Sequence, residues 1–362
     1  MTAEPGVAAP PAAARIPAER THHGDTVIDE YAWLADKENL ETIAFLDAEN
    51  AYTQVQTASQ APLRDAIFGE IKARTQETDL SVPARKGGWW YYTRTVEGMQ
   101  YALHCRRAVR PGTALAETGG PPGIGEGGPV DGGPVDGEEV LLDGNELAGD
   151  GQFFSLGAFS VSPDGRLLAY STDFAGSERF TLRVKDLVSG ETAPDEIPGT
   201  FYGGAWSSDG SALFYVTVDE AWRPYRVWRH IIGTPADEDV VVFEEPDERF
   251  WVGVRLTRSE RFLVISASSK LTSEVWLLDA AHPGGEFTVV APRRQGVEYE
   301  VEHQVTADGT DRLLILHNDH AENFELAQVE LAQVQLAQVQ LAQVQLAQVQ
   351  LAQVQLVCRA GN

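Results

Sequence analysis

The run SVSPDGRLLAYSTD, Ser160 to Asp173, decides the fold. It is a short apolar strand opened by Asp-Gly, a dipeptide that supplies the positive φ a tight hairpin needs. The same phrase returns downstream. Asp209-Gly210 precedes SALFYVTVD, Ser259-Glu260 precedes RFLVISASS, and Asp308-Gly309 precedes TDRLLILHN, so the four turns start 45, 50 and 49 residues apart. Upstream, Gly87-Gly88 precedes WWYYTRTV. The last four units then pass through a polar loop into a second strand with a bulky end: FTLRVKDL, YRVWRHI, EVWLLDA and NFELAQV. A turn, a strand, a loop and a strand at this spacing is the pattern of a β-propeller blade. A sandwich of regular hairpins is the alternative, and it rarely keeps one period through four units.

Working outward, the texture changes on both sides. Residues 15–78 read as a helical segment, with apolar positions at Leu40, Ile43, Ala44, Ala48, Ala51, Tyr52 and Val55 at helical spacing. A second helix starts near Pro62 and places Leu63, Ile67 and Ile71 one turn apart. Residues 1–14, rich in Ala and Pro, are expected to be disordered. Residues 79–325 are expected to form a partial propeller. They are interrupted at 111–137 by a Gly- and Pro-rich flexible insertion that carries GGPVD twice. From Leu326 to Gln355 run six head-to-tail copies of Leu-Ala-Gln-Val-Gln, the first ending in Glu330. This tail, 326–362, is low in complexity. As a helix its period of five smears the leucines around the axis, and as strands it is Gln-rich, uncharged and prone to aggregate. As a pentapeptide-repeat β-helix it makes only about one and a half coils, so disorder or self-association is expected. The tract begins while the blade pattern is still in progress, so the chain reads as the front part of something larger.

Composition narrows the function. A net charge of −26, from 54 acidic against 28 basic residues, repels phosphate backbones and anionic membrane surfaces. No nucleic-acid partner and no membrane association are expected, and no stretch reaches the roughly 18 apolar residues of a spanning helix. Cys105 and Cys358 are the only cysteines, which argues against a disulfide framework and for the cytoplasm.

Several runs resemble the oligopeptidase B branch of the prolyl oligopeptidase family. They are HGDTVIDEYAWLADKENLETIAFLDAENAYT (His23 to Thr53), ETDLSVPARKGGWWYYTRTVEGMQYALHCRR, EEVLLDGNELA, FSVSPDGRLLAYSTDFAGSERFTLRVKDL, LTSEVWLL and HNDHAENFEL. The resemblance spans roughly Arg15 to Val329. It implies an N-terminal helical segment, a seven-bladed propeller of which about five blades are present here, and a C-terminal α/β-hydrolase domain with a Ser-Asp-His triad. In such enzymes the propeller admits short peptides and excludes folded proteins, and this branch cleaves after Arg or Lys. The helical segment packs on the hydrolase domain in the family, so Trp33, Phe45, Leu46 and Tyr52 are expected to expose an apolar patch here.

The residues depart from that pattern where the chemistry lies. An activated serine needs a strained GxSxG elbow with an acid and a base after it. No GxSxG occurs in the 362 residues, and no histidine follows His320. No catalytic, cofactor-binding or metal-binding residue is therefore assigned, and no cofactor. The lineage is that of a serine-type endopeptidase, while the chain alone is expected to be inactive. The alternative is a non-catalytic propeller that binds or scaffolds. His317-Asn318-Asp319-His320 offers metal-ligand chemistry, but Asn-Asp after a strand is turn chemistry. His22-His23 fit a loop better than a ligand pair. Trp89, Trp90, Trp206, Trp228 and Trp276 fit packing between blades better than a ligand platform. Open propeller edges and the repeat tail are expected to drive self-association.

Overall fold

The computed structural model describes residues 9–109, 137–149 and 153–331. The N-terminal segment expected to be disordered (partly), the glycine-rich insertion (almost wholly) and the tail beyond Leu331 lie outside the described residues. The chain divides into two compact units, residues 1–76 and 77–362.

The first unit opens with a hairpin rather than a helix. Strands β1 (Ala18–His22) and β2 (Asp25–Asp29) pair with His22 opposite Asp25. The two residues left between them, His23 and Gly24, have φ of 52° and 82°. Positive φ at both central positions is what a two-residue hairpin matched to strand twist requires. His22 and His23 thus belong to a turn. Helices α1 (Leu40–Thr57) and α2 (Ala61–Arg74) follow. The side chain of Asn39 caps α1 by accepting from the Glu41 amide at 2.8 Å, and Pro62 sits in the first turn of α2.

The stripe read from the spacing exists but is not buried. Thr42 is the one buried residue of α1, and α2 has none; Leu40 is 83% exposed and Phe68 66%. Spacing sets which face a helix would bury, but a partner surface must cover it. Of the expected apolar patch, Leu46 is exposed, while Trp33, Phe45 and Tyr52 are half-buried, with the Trp33 and Phe45 rings edge-on at 6.2 Å.

The second unit is a run of antiparallel blades. Blade 1 pairs β3 (Asp79–Leu80) and β4 (Ala84–Lys86) with β5 (Trp89–Thr95), then β6 (Leu103–Ala108) and β7 (Glu138–Asp143), followed by the short helix α3 (Gly144–Ala148). Blade 2 is β8 (Ser155–Val161), β9 (Leu167–Asp173), β10 (Phe180–Asp186) and β11 (Thr192–Thr200). Blade 3 is β12 (Ala205–Trp206), β13 (Ala212–Val218), β14 (Pro224–Ile231) and β15 (Val240–Glu244); one bridge, Thr200 to Thr217, joins it to blade 2. Blade 4 is β16 (Trp251–Leu256), β17 (Phe262–Ser268), β18 (Ser273–Asp279) and β19 (Thr288–Ala291). Among the described residues blade 5 contains β20 (Tyr299–Val305), β21 (Asp311–His317) and β22 (Glu325–Glu330). The blade therefore runs into the repeat tract, because the first pentapeptide copy, Leu326 to Glu330, is itself the third strand.

Four apolar clusters fill the gaps between successive blades. Leu141 and Leu142 meet Val161, Leu168 and Tyr170; Leu182, Val184 and Ile197 meet Trp206, Leu213 and Tyr215. Phe214, Val216 and Val227 meet Val252, Leu263 and Ile265, while Phe262, Val264 and Leu277 meet Val301, Leu313 and Leu331. Strands β13 and β17 send alternate side chains to opposite neighbours, so both faces are buried and the sequence reads as a continuous apolar run. Strand β21 differs. Leu313, on the face toward blade 4, is fully buried, while Leu316, on the other face, is 42% exposed. None of the four clusters joins blade 5 to blade 1.

Candidate functional site

Four copies of one turn link the first and second strands of blades 2 to 5. In each, a Ser or Thr carbonyl accepts from the amide three residues on: Ser162 from Gly165, Ser207 from Gly210, Thr257 from Glu260 and Thr306 from Gly309, at 2.8–3.0 Å. The same Ser or Thr hydroxyl contacts the side chain two residues on, at 2.5 Å for Asp164, 2.6 Å for Asp209 and 3.0 Å for Ser259, with Thr306 bonded likewise to Asp308. The fourth residue is left-handed in all four turns, with φ of 75° at Gly165, 70° at Gly210, 59° at Glu260 and 85° at Gly309. The Asp-Gly pairs are thus turn residues, as their chemistry indicates. Hydroxyl bonds hold the carboxyls of Asp164, Asp209 and Asp308 below the usual range, Asp209 at about 2.

Glu260 is the exception, a glutamate where the other three turns have glycine. Its carboxylate lies 3.0 Å from Lys86 Nζ in blade 1, and the same ammonium donates to the Val161 carbonyl at 2.9 Å. Lys86 thereby ties blades 1, 2 and 4 at the turn end of their first strands. Beside it the Arg106 guanidinium stacks on Trp89 at 3.9 Å, donates to the Gly165 carbonyl at 2.5 Å and pairs with Glu139 at 2.8 Å. Sequence reasoning missed Lys86 and Arg106. Glutamate in a glycine position of a repeat was the available signal.

One serine does meet a histidine and a carboxylate. Ser259 Oγ lies 2.8 Å from His303 Nδ1, and His303 Nε2 lies 3.6 Å from Asp311 Oδ1. Its surroundings are those of a structural contact. Burial pushes the imidazole below its ordinary pKa against the pull of Asp311, which is itself held by Arg261. The surrounding amides are committed: Glu260 to Thr257, Arg261 to Ser259 Oγ at 3.3 Å, and Arg258 to Glu302 at 2.8 Å. No donor pair is left for an oxyanion. The cluster fastens blade 4 to blade 5, alongside Arg255, which donates to the Val301 carbonyl at 2.7 Å.

Other weighed residues are structural. His317 is buried at the end of β21, the Asn318 side chain accepts from the Glu298 amide at 2.8 Å, Asp319 pairs with Arg294, and His320 is exposed in the turn. Among the described residues no group of three or more His, Cys, Asp or Glu side chains is placed to hold a metal ion. Trp206 is fully buried between blades 2 and 3 and donates to the Ser160 carbonyl at 2.9 Å. Trp228 stacks on Tyr215, and Trp276 packs 4.5 Å from Phe243. Cys105 is buried between strands, and burial together with Glu138 raises its thiol to about 12, which removes its nucleophilicity. Among the described residues no helix is long and apolar enough to cross a membrane.

The comparisons agree with this architecture. Residues 10–354 match the family described as prolyl oligopeptidase, N-terminal beta-propeller domain. The chain belongs to that family. It is 40% identical over 324 residues to dipeptidyl aminopeptidase BI of Pseudoxanthomonas mexicana, covering 88% of this chain and 43% of that protein. Protease 2 of Moraxella lacunata is 33% identical, with 87% and 43% covered. Among solved structures, oligopeptidase B from Leishmania major superimposes with a TM-score of 0.75 at 31% identity, over 90% of this chain and 45% of that one. The chain thus spans less than half the length of these relatives, and the likeness is to their propeller portion.

Proposed function

We propose that this chain is the substrate-gating propeller portion of a prolyl-oligopeptidase-family serine endopeptidase that acts on short peptides after Arg or Lys, and that the chain alone hydrolyses nothing. One observation carries the reading: the family match covers the propeller while the 362 residues contain no GxSxG. The Arg or Lys preference rests on the likeness to oligopeptidase B. The 40% identity to a protein named dipeptidyl aminopeptidase BI supports a second reading, release of dipeptides rather than internal cleavage. A non-catalytic binding module is the third reading. The cytoplasm is assigned on the absence of a disulfide framework. Self-association would use the open propeller edges and the repeat tail; among the described residues the outer face of blade 5 places Leu316 opposite Leu326, itself 55% exposed.

The test incubates the purified chain with a panel of peptides of about ten residues containing Arg, Lys or neither, and reads the products by mass spectrometry. Intact peptides are expected throughout. Cleavage after Arg or Lys that a serine-directed phosphonate abolishes would refute inactivity, and dipeptide ladders would favour the second reading.

A further inference from the structure

Blades 1 and 4 are not neighbours. The apolar clusters join successive blades, so blades 2 and 3 stand between them. Yet Lys86 Nζ of blade 1 lies 3.0 Å from the Glu260 carboxylate of blade 4 and donates to the Val161 carbonyl of blade 2 at 2.9 Å. Lys86 ends β4, Val161 ends β8, and Glu260 closes the turn that follows β16. Propeller blades stand around a central channel. A contact that passes over two blades therefore spans that channel, at the end where the first strands run out.

The two sides of this contact differ in firmness. On the blade 4 side the turn is pinned to blade 5 by Ser259 with His303 at 2.8 Å, the Arg258 amide with Glu302 at 2.8 Å, and Arg261 with Asp311. Glu260 is held there in a left-handed conformation, φ 59°, that the other three turns give to glycine. A glutamate kept where glycine is easier points to a use for its side chain. On the blade 1 side the first strand is broken into β3, of two residues, and β4, of three. The first strands of blades 2, 4 and 5 have seven, six and seven. Of residues 79–86 only Pro83 is buried, and Val82 is 81% exposed. Few buried contacts and a short ladder mark a segment that opens ahead of the rest.

We propose that residues 79–86 are a movable inner strand, latched across the channel by the ion pair of Lys86 with Glu260. With the pair made, Lys86 bars the channel at its turn end. With it broken, the bar is gone and the strand is free to leave β5. The two side chains are 33% and 37% exposed, so salt reaches the pair and weakens it. The latch deepens the gating reading by naming the part that moves, and it rests on that reading for its purpose. Its test reads the strand rather than peptide hydrolysis, so the latch can fail while the gating reading stands.

Hydrogen exchange read by mass spectrometry tests it on the 362-residue chain, with peptides within residues 79–88 compared with a β17 control. The salt is set at about 20 and about 500 mM, between which the screening length falls severalfold. The proteins are the unaltered chain, Glu260→Gln, Lys86→Met and the double variant. Glu260→Gln keeps a side chain of the same length on the left-handed backbone and removes only the charge. In the unaltered chain, exchange at 79–88 should rise about threefold from low to high salt, a change within what an exposed ion pair supplies. In Glu260→Gln it should be fast already at low salt and indifferent to salt, and the double variant should match Lys86→Met. The β17 control should exchange alike in all four proteins. Salt-independent exchange at 79–88 in the unaltered chain would overturn the latch. So would additive effects in the double variant, which would mean that the two residues act separately. A β17 control that accelerates together with 79–88 would also overturn it, since the whole fold would then be opening.

Discussion

Truncating Leu313 and Leu316 should have very different effects, because one residue lies inside a blade interface and the other on a face that nothing covers among the described residues. Leu313 is fully buried between β20 and β22 against blade 4. Leu313→Ala removes three carbons from close packing and leaves a cavity, which costs about 3–4 kcal/mol within the usual 2–5 for such sites. Leu316 is 42% exposed, so Leu316→Ala forfeits only part of a transfer energy of about 2 kcal/mol and opens no closed cavity; about 1 kcal/mol is expected. For a domain of this size each kcal/mol moves the midpoint by roughly 2–4 °C, giving roughly 6–16 °C for Leu313 against 2–4 °C for Leu316. Thermal unfolding followed by tryptophan fluorescence, at several protein concentrations, measures both. Equal losses would refute the reasoning, since they would mean that the outer face of blade 5 is packed in solution.

Two further outcomes follow from the turn motif. Glu260→Gly should leave stability unchanged or raise it by up to about 2 kcal/mol. A left-handed non-glycine costs about 1–2 kcal/mol, and an ion pair as exposed as the one to Lys86 contributes about 0–1; a urea midpoint that falls clearly would show that the Lys86 tie outweighs the strain. Asp209 has its folded pKa lowered to about 2 by Ser207 and Ser211, so its stabilisation is full above the unfolded carboxylate value near pH 4 and is lost as pH falls through about 2. Asp209→Asn should therefore flatten the dependence of the midpoint on pH between roughly 5 and 2.5, and an unchanged slope would assign the acid sensitivity elsewhere.

What the sequence revealed and what it hid have physical causes. The blades were legible because the Ser/Thr-x-Asp-Gly turn is local chemistry repeated at a fixed spacing, and because β13 and β17 bury both faces. The hairpin at 18–29 was not, because nearly all its residues are exposed on both faces and no apolar alternation marks it. The strand β22 (Glu325–Glu330) hides in the sequence because its residues and the first copy of the repeat tract are the same. Contacts such as Ser259 with His303 or Lys86 with Glu260 join residues far apart in the chain, and no local pattern encodes them. The helix stripe is legible as a face from its spacing, whereas its burial depends on a surface that the described residues do not provide.

The central claim is that these residues form the propeller portion of a peptidase and hold no activated nucleophile of their own. Intact-mass spectrometry of the native chain after incubation with a biotinylated fluorophosphonate tests it most directly. The account predicts an unchanged mass, with Ser259 unmodified despite its contact with His303. A single stoichiometric adduct that heat denaturation abolishes would contradict it.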